Sequence, residues 1–213
     1  MNALLGFGFV VLGFTASVFG AVGAAYALLS GRTRLLPTIR QWVWLVVAAS
    51  VGAFVVMEVA LFQRDYSLAY VAKVGSDDTP ALFNFAALWS SLEGSILLWA
   101  LVLGGYLAAM AIKFRSRQDD PLLGWALVVM LGVTAFFFAL MIGPANPFLT
   151  VEVPPGFNGP GPNPLLQNHI LVAFHPPMLY LGYVGFTVPF AFANPAGDEG
   201  GDGEGEGHGE AHV

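Results

Sequence analysis

Residues 122–142 read LLGWALVVMLGVTAFFFALMI, and this stretch decides the fold. It contains no charged residue, and its length matches the roughly 20 residues that an α-helix needs to cross about 30 Å of hydrocarbon. Lipid offers no partner for backbone amides and carbonyls, so a crossing segment must satisfy them internally, as a helix does. The stretch therefore predicts a membrane-spanning helix.

Four further stretches have the same character, and they cover residues 3–29, 43–62, 95–112 and 176–192. The composition of the whole chain agrees with them. Over 213 residues, 56% are hydrophobic and only 10% are charged, and the mean hydropathy is +0.70. A soluble domain of this length does not need so much apolar surface to build one core. The sequence predicts an all-α integral membrane bundle of about five transmembrane helices.

Basic residues indicate how this bundle lies in the membrane. Three lie between the first two predicted spans and three between the third and fourth, namely Arg32, Arg34, Arg40, Lys113, Arg115 and Arg117. Loops rich in Lys and Arg stay in the cytoplasm. We therefore expect a protein integral to the bacterial cytoplasmic (inner) membrane, with residues 63–94 and 143–175 on the periplasmic side.

The end of the chain differs in composition from the rest. We predict a membrane domain over residues 1–195 and a disordered, acidic, glycine-rich cytoplasmic tail over residues 196–213. Such a tail has nothing to bury, and its like charges repel each other. His208 and His212 offer the alternative of a weak metal contact, but a solvated tail is the prediction.

The net charge gives no indication of a partner. Six of the 14 acidic residues lie in the tail, and the other eight balance the eight Lys and Arg residues, which leaves the formal charge of −6. We expect no nucleic-acid partner.

A histidine followed by two prolines begins the last apolar stretch, in FHPPM over residues 174–178. Proline lacks an amide hydrogen and biases the residue before it toward extended backbone. We therefore expect His175 on a non-helical step at the outer membrane boundary, just before a helix that runs to about Phe192. Such a step would present the imidazole to the outer face.

A second histidine, His169, lies six residues earlier, which on a helix would turn its side chain roughly 240° away from that of His175. We expect His169 to be a hydrogen-bonded interfacial residue, and not a metal ligand. Asn163 and Pro164 have the character of the cap and first residue of a short helix leading to it.

Glu93 is expected at the outer start of the third span, where a helix dipole stabilises a carboxylate. Trp89 and Trp99 flank it, as interfacial aromatic residues do. We predict that Glu93 hydrogen-bonds to the loop around Asn146 or to a partner chain.

Three segments together resemble one known family. They are ALWSSLEGSILLW over residues 87–99, NPF over 146–148, and NPLLQNHILVAFHPPMLYLGYVGF over 163–186. In this order they resemble the amino-terminal third of CcmF, the haem lyase subunit of cytochrome c maturation. The resemblance covers about residues 1–193, and the Trp-x-x-x-Glu-Gly-Ser and His-Pro-Pro-x-Leu-Tyr motifs are its most specific parts.

The resemblance implies cytochrome c-type biogenesis, with haem handling and ligation to apocytochrome c inside a multi-subunit haem lyase. In that family the histidine matching His175 is an outward-facing axial ligand of haem iron, so the same role is expected of His175. Supporting roles are expected of Trp89, Glu93, Asn146, Pro176, Pro177 and Tyr180. The implied cofactor is haem. The implied partners are a CcmE-like haem chaperone, a CcmH-like apocytochrome-binding subunit and apocytochrome c.

The chain also departs from the family pattern. The family's Trp-rich outer segment, of the form Trp-Gly-x-Trp-Trp-x-Trp-Asp, and its second outward histidine are not found in these 213 residues. We therefore expect the haem site to be shared with another polypeptide, the remainder of a CcmF-like protein that carries the Trp-rich segment. On this interpretation the chain is part of a split or truncated CcmF and holds no complete active site of its own.

Two alternatives remain open from the residues themselves. Glu58 lies within the second apolar stretch, where a carboxyl group is costly and often functional, so an ion- or solute-translocating subunit is one alternative. The chain shows no inverted repeat of the kind that many secondary transporters have. A structural membrane scaffold is the other alternative, and it would use small-residue packing at Gly104, Gly105, Gly182 and Gly185.

Overall fold

The computed structural model describes residues 1–117, 119–163 and 169–193 of the chain. Within these ranges the helices are α1 (Asn2–Leu29), α2 (Leu36–Ile39), α3 (Gln41–Phe62), α4 (Ala69–Val74), α5 (Ala81–Ala86), α6 (Leu92–Lys113), α7 (Pro121–Ile142), α8 (Ile170–Gly185) and α9 (Thr187–Ala193). The described residues form no strand beyond an isolated antiparallel bridge between Leu68 and Thr150. The predicted all-α class is confirmed. The helix start predicted at Pro164 and the tail predicted over 196–213 lie outside the described residues.

Five segments of the described chain are long and apolar enough to cross a membrane, which confirms the predicted number of spans. They are Asn2–Leu29, Thr33–Phe62, Leu92–Lys113, Pro121–Ile142 and Ile170–Ala193. The second span joins α2 to α3, and the fifth joins α8 to α9.

The centre of the bundle is formed by α1 packed along α3 and α7, with α6 also against α3 and α7. Glycines on α1 allow the close approach. A Cβ atom at Gly13 would overlap the ring of Phe138 on α7, which is fully buried. Helices in lipid associate through this kind of contact between small residues and large side chains.

Buried hydroxyl groups in the spans find partners inside their own helices. Ser17, Ser50 and Thr134 each donate to the carbonyl four residues earlier, over 2.7–2.9 Å. These bonds matter because an unpaired hydroxyl in a medium without water costs free energy.

The loops alternate between the two ends of the bundle. At one end, Arg40 Nη2 donates to the Ala111 carbonyl over 2.7 Å and Nη1 donates to that of Phe114 over 3.3 Å, which ties the first loop to the end of α6. We call this end, formed by residues 30–40 and 113–117, the basic face. The opposite end, formed by residues 63–91 and 143–163, is the loop face.

Asn158 fastens the two long segments of the loop face to each other. Its Oδ1 accepts a hydrogen bond from the Asp77 amide over 2.8 Å, and its Nδ2 donates to Asp78 Oδ2 over 3.3 Å. Tyr66 packs edge-on against Phe157 beside it, with 5.4 Å between ring centroids. The loop face is therefore an ordered layer over the ends of the spans.

Candidate functional site

His175 lies inside a helix, so the non-helical step predicted for it was wrong. Helix α8 begins at Ile170 and continues through both prolines to Gly185. The earlier start is stabilised by His169, whose Nδ1 accepts a hydrogen bond from the Leu171 amide over 3.3 Å and thereby caps the helix. His169 is thus a hydrogen-bonded residue, as predicted.

The prolines of α8 remove hydrogen bonds that a helix would otherwise make. Pro176 has no amide hydrogen to offer the carbonyl of Val172, four residues earlier. The indole Nε1 of Trp89 donates to this carbonyl instead, over 2.7 Å. The bond satisfies a polar group that lipid could not satisfy, and it fixes the start of α8 against the loop face.

Tyr180 makes the second connection between α8 and the rest of the bundle. Its hydroxyl donates to Ser95 Oγ over 3.2 Å, and Ser95 Oγ donates to the carbonyl of Trp89 over 3.0 Å. The Tyr180 ring also packs on Trp99, with 5.5 Å between centroids. Trp89 and Tyr180, both predicted as supporting residues, therefore belong to one hydrogen-bonded network.

Trp89 itself is held by Tyr70, which is almost completely buried. The Tyr70 hydroxyl lies 2.6 Å from the carbonyl oxygen of Leu88 and 3.1 Å from that of Ala87. Burial, together with the nearby charge of Glu93, raises the pKa of the Tyr70 hydroxyl. It therefore stays a neutral donor to the 3₁₀ turn Ala87–Trp89.

The imidazole of His175 is exposed and has no hydrogen-bond partner among the described residues. The neighbouring positions on the same side of α8 carry exposed apolar side chains, namely Leu171, Phe174, Met178 and Leu179. We call these five residues the His175 face. It combines one free nitrogen ligand with a broad apolar surface.

The fifth span is also the least covered of the five. Only 11% of its most apolar window is buried, against 33–50% for the others, although its mean hydropathy of 1.3 is the lowest. A span of low hydropathy is expected to make more protein contact than the other spans, because it is less stable against lipid.

Glu93 lies in the first turn of α6, as predicted, but it pairs with Lys73. Its Oε2 is 3.2 Å from Lys73 Nζ, and Ser91 Oγ donates to the same oxygen over 3.4 Å. The predicted bond to the loop around Asn146 is not formed within the part of the chain that the structure describes. Lys73, on α4 in the loop face, reaches Glu93 because the first turn of α6 directly follows that face.

Asn146 shapes its own loop. Its Oδ1 accepts a hydrogen bond from the Phe148 amide over 2.9 Å, in a tight side-chain turn. That turn directs Phe148 into the bundle against Gly6 of α1, where a Cβ atom would overlap the ring. Asn146 thus stabilises the loop face, and it is not the partner that was predicted for Glu93.

Four residues of this site have no clear signal in the sequence: Tyr70, Lys73, Ser95 and Tyr106. Each acts on a partner far along the chain, as when the Tyr106 hydroxyl donates to the Leu181 carbonyl over 2.8 Å. Gly185 is a partial signal of the Tyr106 contact, because a Cβ atom at position 185 would lie only 2.9 Å from the Tyr106 hydroxyl.

Glu58 is buried in α3, and neither of its carboxyl oxygens has a hydrogen-bond partner within the described ranges. Among the described residues, no three His, Asp or Glu side chains group so as to hold a metal ion.

Comparisons with known proteins agree with each other. Residues 89–194 match a family model described as cytochrome c assembly protein. The chain is 34% identical to CcmF of Escherichia coli K12, over 89% of this chain and 29% of that one. It is 40% identical to CcmF of Pseudomonas aeruginosa, over 72% of this chain and 24% of that one. A solved structure titled cytochrome c heme lyase CcmF superposes with a TM-score of 0.77 and 36% identity, over 92% of this chain and 30% of that chain.

The fold and the site define a helical integral membrane protein. On an apolar helix face beside its long loops it presents a histidine that has no partner among the described residues. The comparisons narrow this class: the chain belongs to the CcmF family of cytochrome c-type biogenesis proteins. It spans 24–30% of the length of these relatives.

Proposed function

We propose that this chain handles haem as one subunit of a cytochrome c haem lyase, with His175 as an axial ligand of haem iron. The observation that carries the proposal is the exposed imidazole of His175, which has no partner among the described residues and lies on the apolar face of α8. Imidazole is a common axial ligand of haem iron.

The surroundings of His175 suit a porphyrin. Leu171, Phe174, Met178 and Leu179 provide apolar surface for the macrocycle, which buries poorly against polar side chains. When bound, haem supplies an iron that accepts the imidazole and vinyl groups to which the cytochrome thiols add. The part of this chain is to hold His175 at a fixed position and orientation.

Supporting residues provide that position. Trp89 compensates the carbonyl that Pro176 leaves free, and Tyr180 fastens the next turn of α8 to α6. Pro177 stiffens the same turn by fixing its φ angle. Glu93 and Asn146 act indirectly. Glu93 joins α4 to α6, and Asn146 shapes the loop at Phe148.

The remaining contacts to haem come, in this proposal, from segments that these 213 residues do not include. The chain matches 24–30% of the length of these relatives, and among the described residues one histidine, His175, has no hydrogen-bond partner. We assign the rest of the site to a CcmF-like remainder with the Trp-rich segment, which would cover the His175 face. A CcmE-like chaperone would deliver haem, and a CcmH-like subunit would present apocytochrome c.

The orientation of the chain follows from its charges. Cytoplasmic loops carry more Lys and Arg than exported ones, and here these residues gather at the basic face. In this proposal the basic face and the tail over 196–213 lie in the cytoplasm. His175 then lies on the periplasmic side of the inner membrane.

A comparison of two histidine variants tests the proposal. In the complete complex, His175→Ala should lower haem absorbance and the yield of holocytochrome c, with normal amounts of the chain in the membrane. His169→Asn is the matched control, because asparagine keeps the capping function and only the second histidine is lost. Wild-type haem absorbance and yield in His175→Ala would overturn the ligand assignment.

A second candidate, an ion- or solute-translocating subunit, rests on Glu58. A carboxyl group buried in a span without a partner is a recurrent feature of such proteins. The candidates differ in what they require of Glu58, since haem handling at the loop face does not need it.

A further inference from the structure

We propose that a cleft on the basic face binds the phosphate headgroup of an anionic phospholipid. The cleft has a volume of about 290 Å³ and opens between the start of α3 and the end of α6. Its lining includes Arg40, Gln41, Trp44, Ile112 and Arg115. It lies at the opposite end of the bundle from His175 and is independent of the haem proposal.

Arg40 is the central residue of this cleft because its charge is buried without a counter-charge among the described residues. Arg40 is only 7% exposed, and none of the ion pairs formed among the described residues includes it. A buried cation without an opposite charge is costly. The carbonyls of Ala111 and Phe114, at the negative end of the α6 dipole, offset part of that cost.

The guanidinium of Arg40 also retains hydrogen-bonding capacity. It carries five N–H donors, and two of its nitrogens each donate to one of these carbonyls. The donors that remain suit an anion with several acceptor oxygens. Arg115 lines the same cleft, and two guanidinium groups around one site are well matched to a phosphate.

The walls of the cleft favour a lipid over a free phosphate ion. Trp44 and Ile112 are 49% and 58% exposed, and both lie within membrane-spanning segments. They therefore face acyl chains while the arginines face the headgroup region. Basic pockets between helices at the cytoplasmic surface bind anionic headgroups in this way.

The test uses the full chain in detergent and measures its thermal unfolding and its retention of lipid in native mass spectrometry. The probes are phosphatidylglycerol, phosphatidylcholine and inorganic phosphate at equal concentration. Phosphatidylglycerol should be retained and should raise the unfolding temperature, because a ligand that binds only the folded state stabilises it. The other two probes should have little effect.

Arginine variants connect the effect to the cleft. Arg115→Gln should weaken retention of phosphatidylglycerol about tenfold, the loss typical of one charge-assisted contact. Arg34→Gln is the matched control, since Arg34 belongs to the basic face but does not line the cleft. Arg40→Gln should weaken retention further, but it also removes two bonds to α6, so Arg115→Gln decides. Equal retention by wild type and Arg115→Gln would overturn the site, and equal stabilisation by inorganic phosphate would overturn the lipid assignment.

Discussion

The indole nitrogen of Trp89 lies 2.7 Å from the backbone carbonyl oxygen of Val172, and it donates the hydrogen bond that Pro176 cannot. Two motifs far apart in the sequence, around Trp89 and around His175, are therefore parts of one structural unit. The bond allows α8 to run through two prolines while it stays docked on the bundle. It also fixes the helix turn that carries His175.

The first prediction concerns this bond. Trp89→Phe should destabilise the protein by about 1–3 kcal/mol, because it leaves the partly buried carbonyl of Val172 without a donor. In a Pro176→Ala background the new amide of residue 176 can serve that carbonyl, so the same change should cost clearly less. A double-mutant cycle on thermal unfolding measures the difference. Equal costs in both backgrounds would show that the two residues do not act together.

The second prediction concerns orientation. The chain has no cysteine, so single cysteines report topology without background. Ser67→Cys, exposed on the loop face, should react with an impermeant thiol reagent added to intact spheroplasts. Ser116→Cys, exposed on the basic face, should react only after the membrane is opened. The reverse pattern would show that the positive charges lie outside.

The third prediction concerns Glu58. Glu58→Met keeps a similar length and removes two buried oxygens that have no partner among the described residues. Stability should stay unchanged or rise by about 1 kcal/mol, and the yield of holocytochrome c should be retained. Thermal unfolding and haem staining of membranes give both readouts. A well-folded Glu58→Met variant with no holocytochrome would favour the translocating subunit instead.

The fourth prediction concerns acid stability through Asp65. Burial alone would raise the pKa of this carboxyl group, but the hydrogen bonds that it accepts from Ser67 and Asn2 outweigh burial and lower the pKa. A lowered pKa in the folded state stabilises the fold above the unfolded value of about 3.9. This contribution should disappear as the pH falls through the folded pKa.

Unfolding temperatures measured from pH 7 to pH 2 test this effect. Asp65→Asn should lower the unfolding temperature at pH 7 and should differ least from wild type at the acidic end. A difference that stays constant over the whole range would mean that the charge of Asp65 is not involved.

Much of the fold could be predicted because lipid imposes a simple rule. Each span must be long, apolar and helical, so five stretches of hydropathy predict five helices. The basic residues within 32–40 and 113–117 likewise lie at one end of the bundle, because successive spans alternate in direction. His175 and Tyr180 lie on α8, and Trp89 donates to the Val172 carbonyl of the same helix, so the structure brings these three candidate residues close together.

The start of α8 could not be predicted from local sequence. The prolines at 176 and 177 predict a helix start there. That prediction fails when another group donates to a carbonyl that a proline leaves without its helical donor. The donor comes from Trp89, 83 residues earlier, and the cap comes from His169. The Lys73–Glu93 pair is of the same kind, because a tertiary contact between α4 and the start of α6 is not indicated by either local stretch of sequence.

The most direct test of the central claim is the absorption spectrum of haem in the complete complex with His175→Ala, with and without added imidazole. If His175 ligates the iron, the variant should lose the wild-type spectrum, and free imidazole should restore it, since the ligand position stays open for a small nitrogen base. Loss and recovery together would separate ligation from a general structural effect. A His175→Ala complex with the wild-type spectrum in the absence of imidazole would contradict the account.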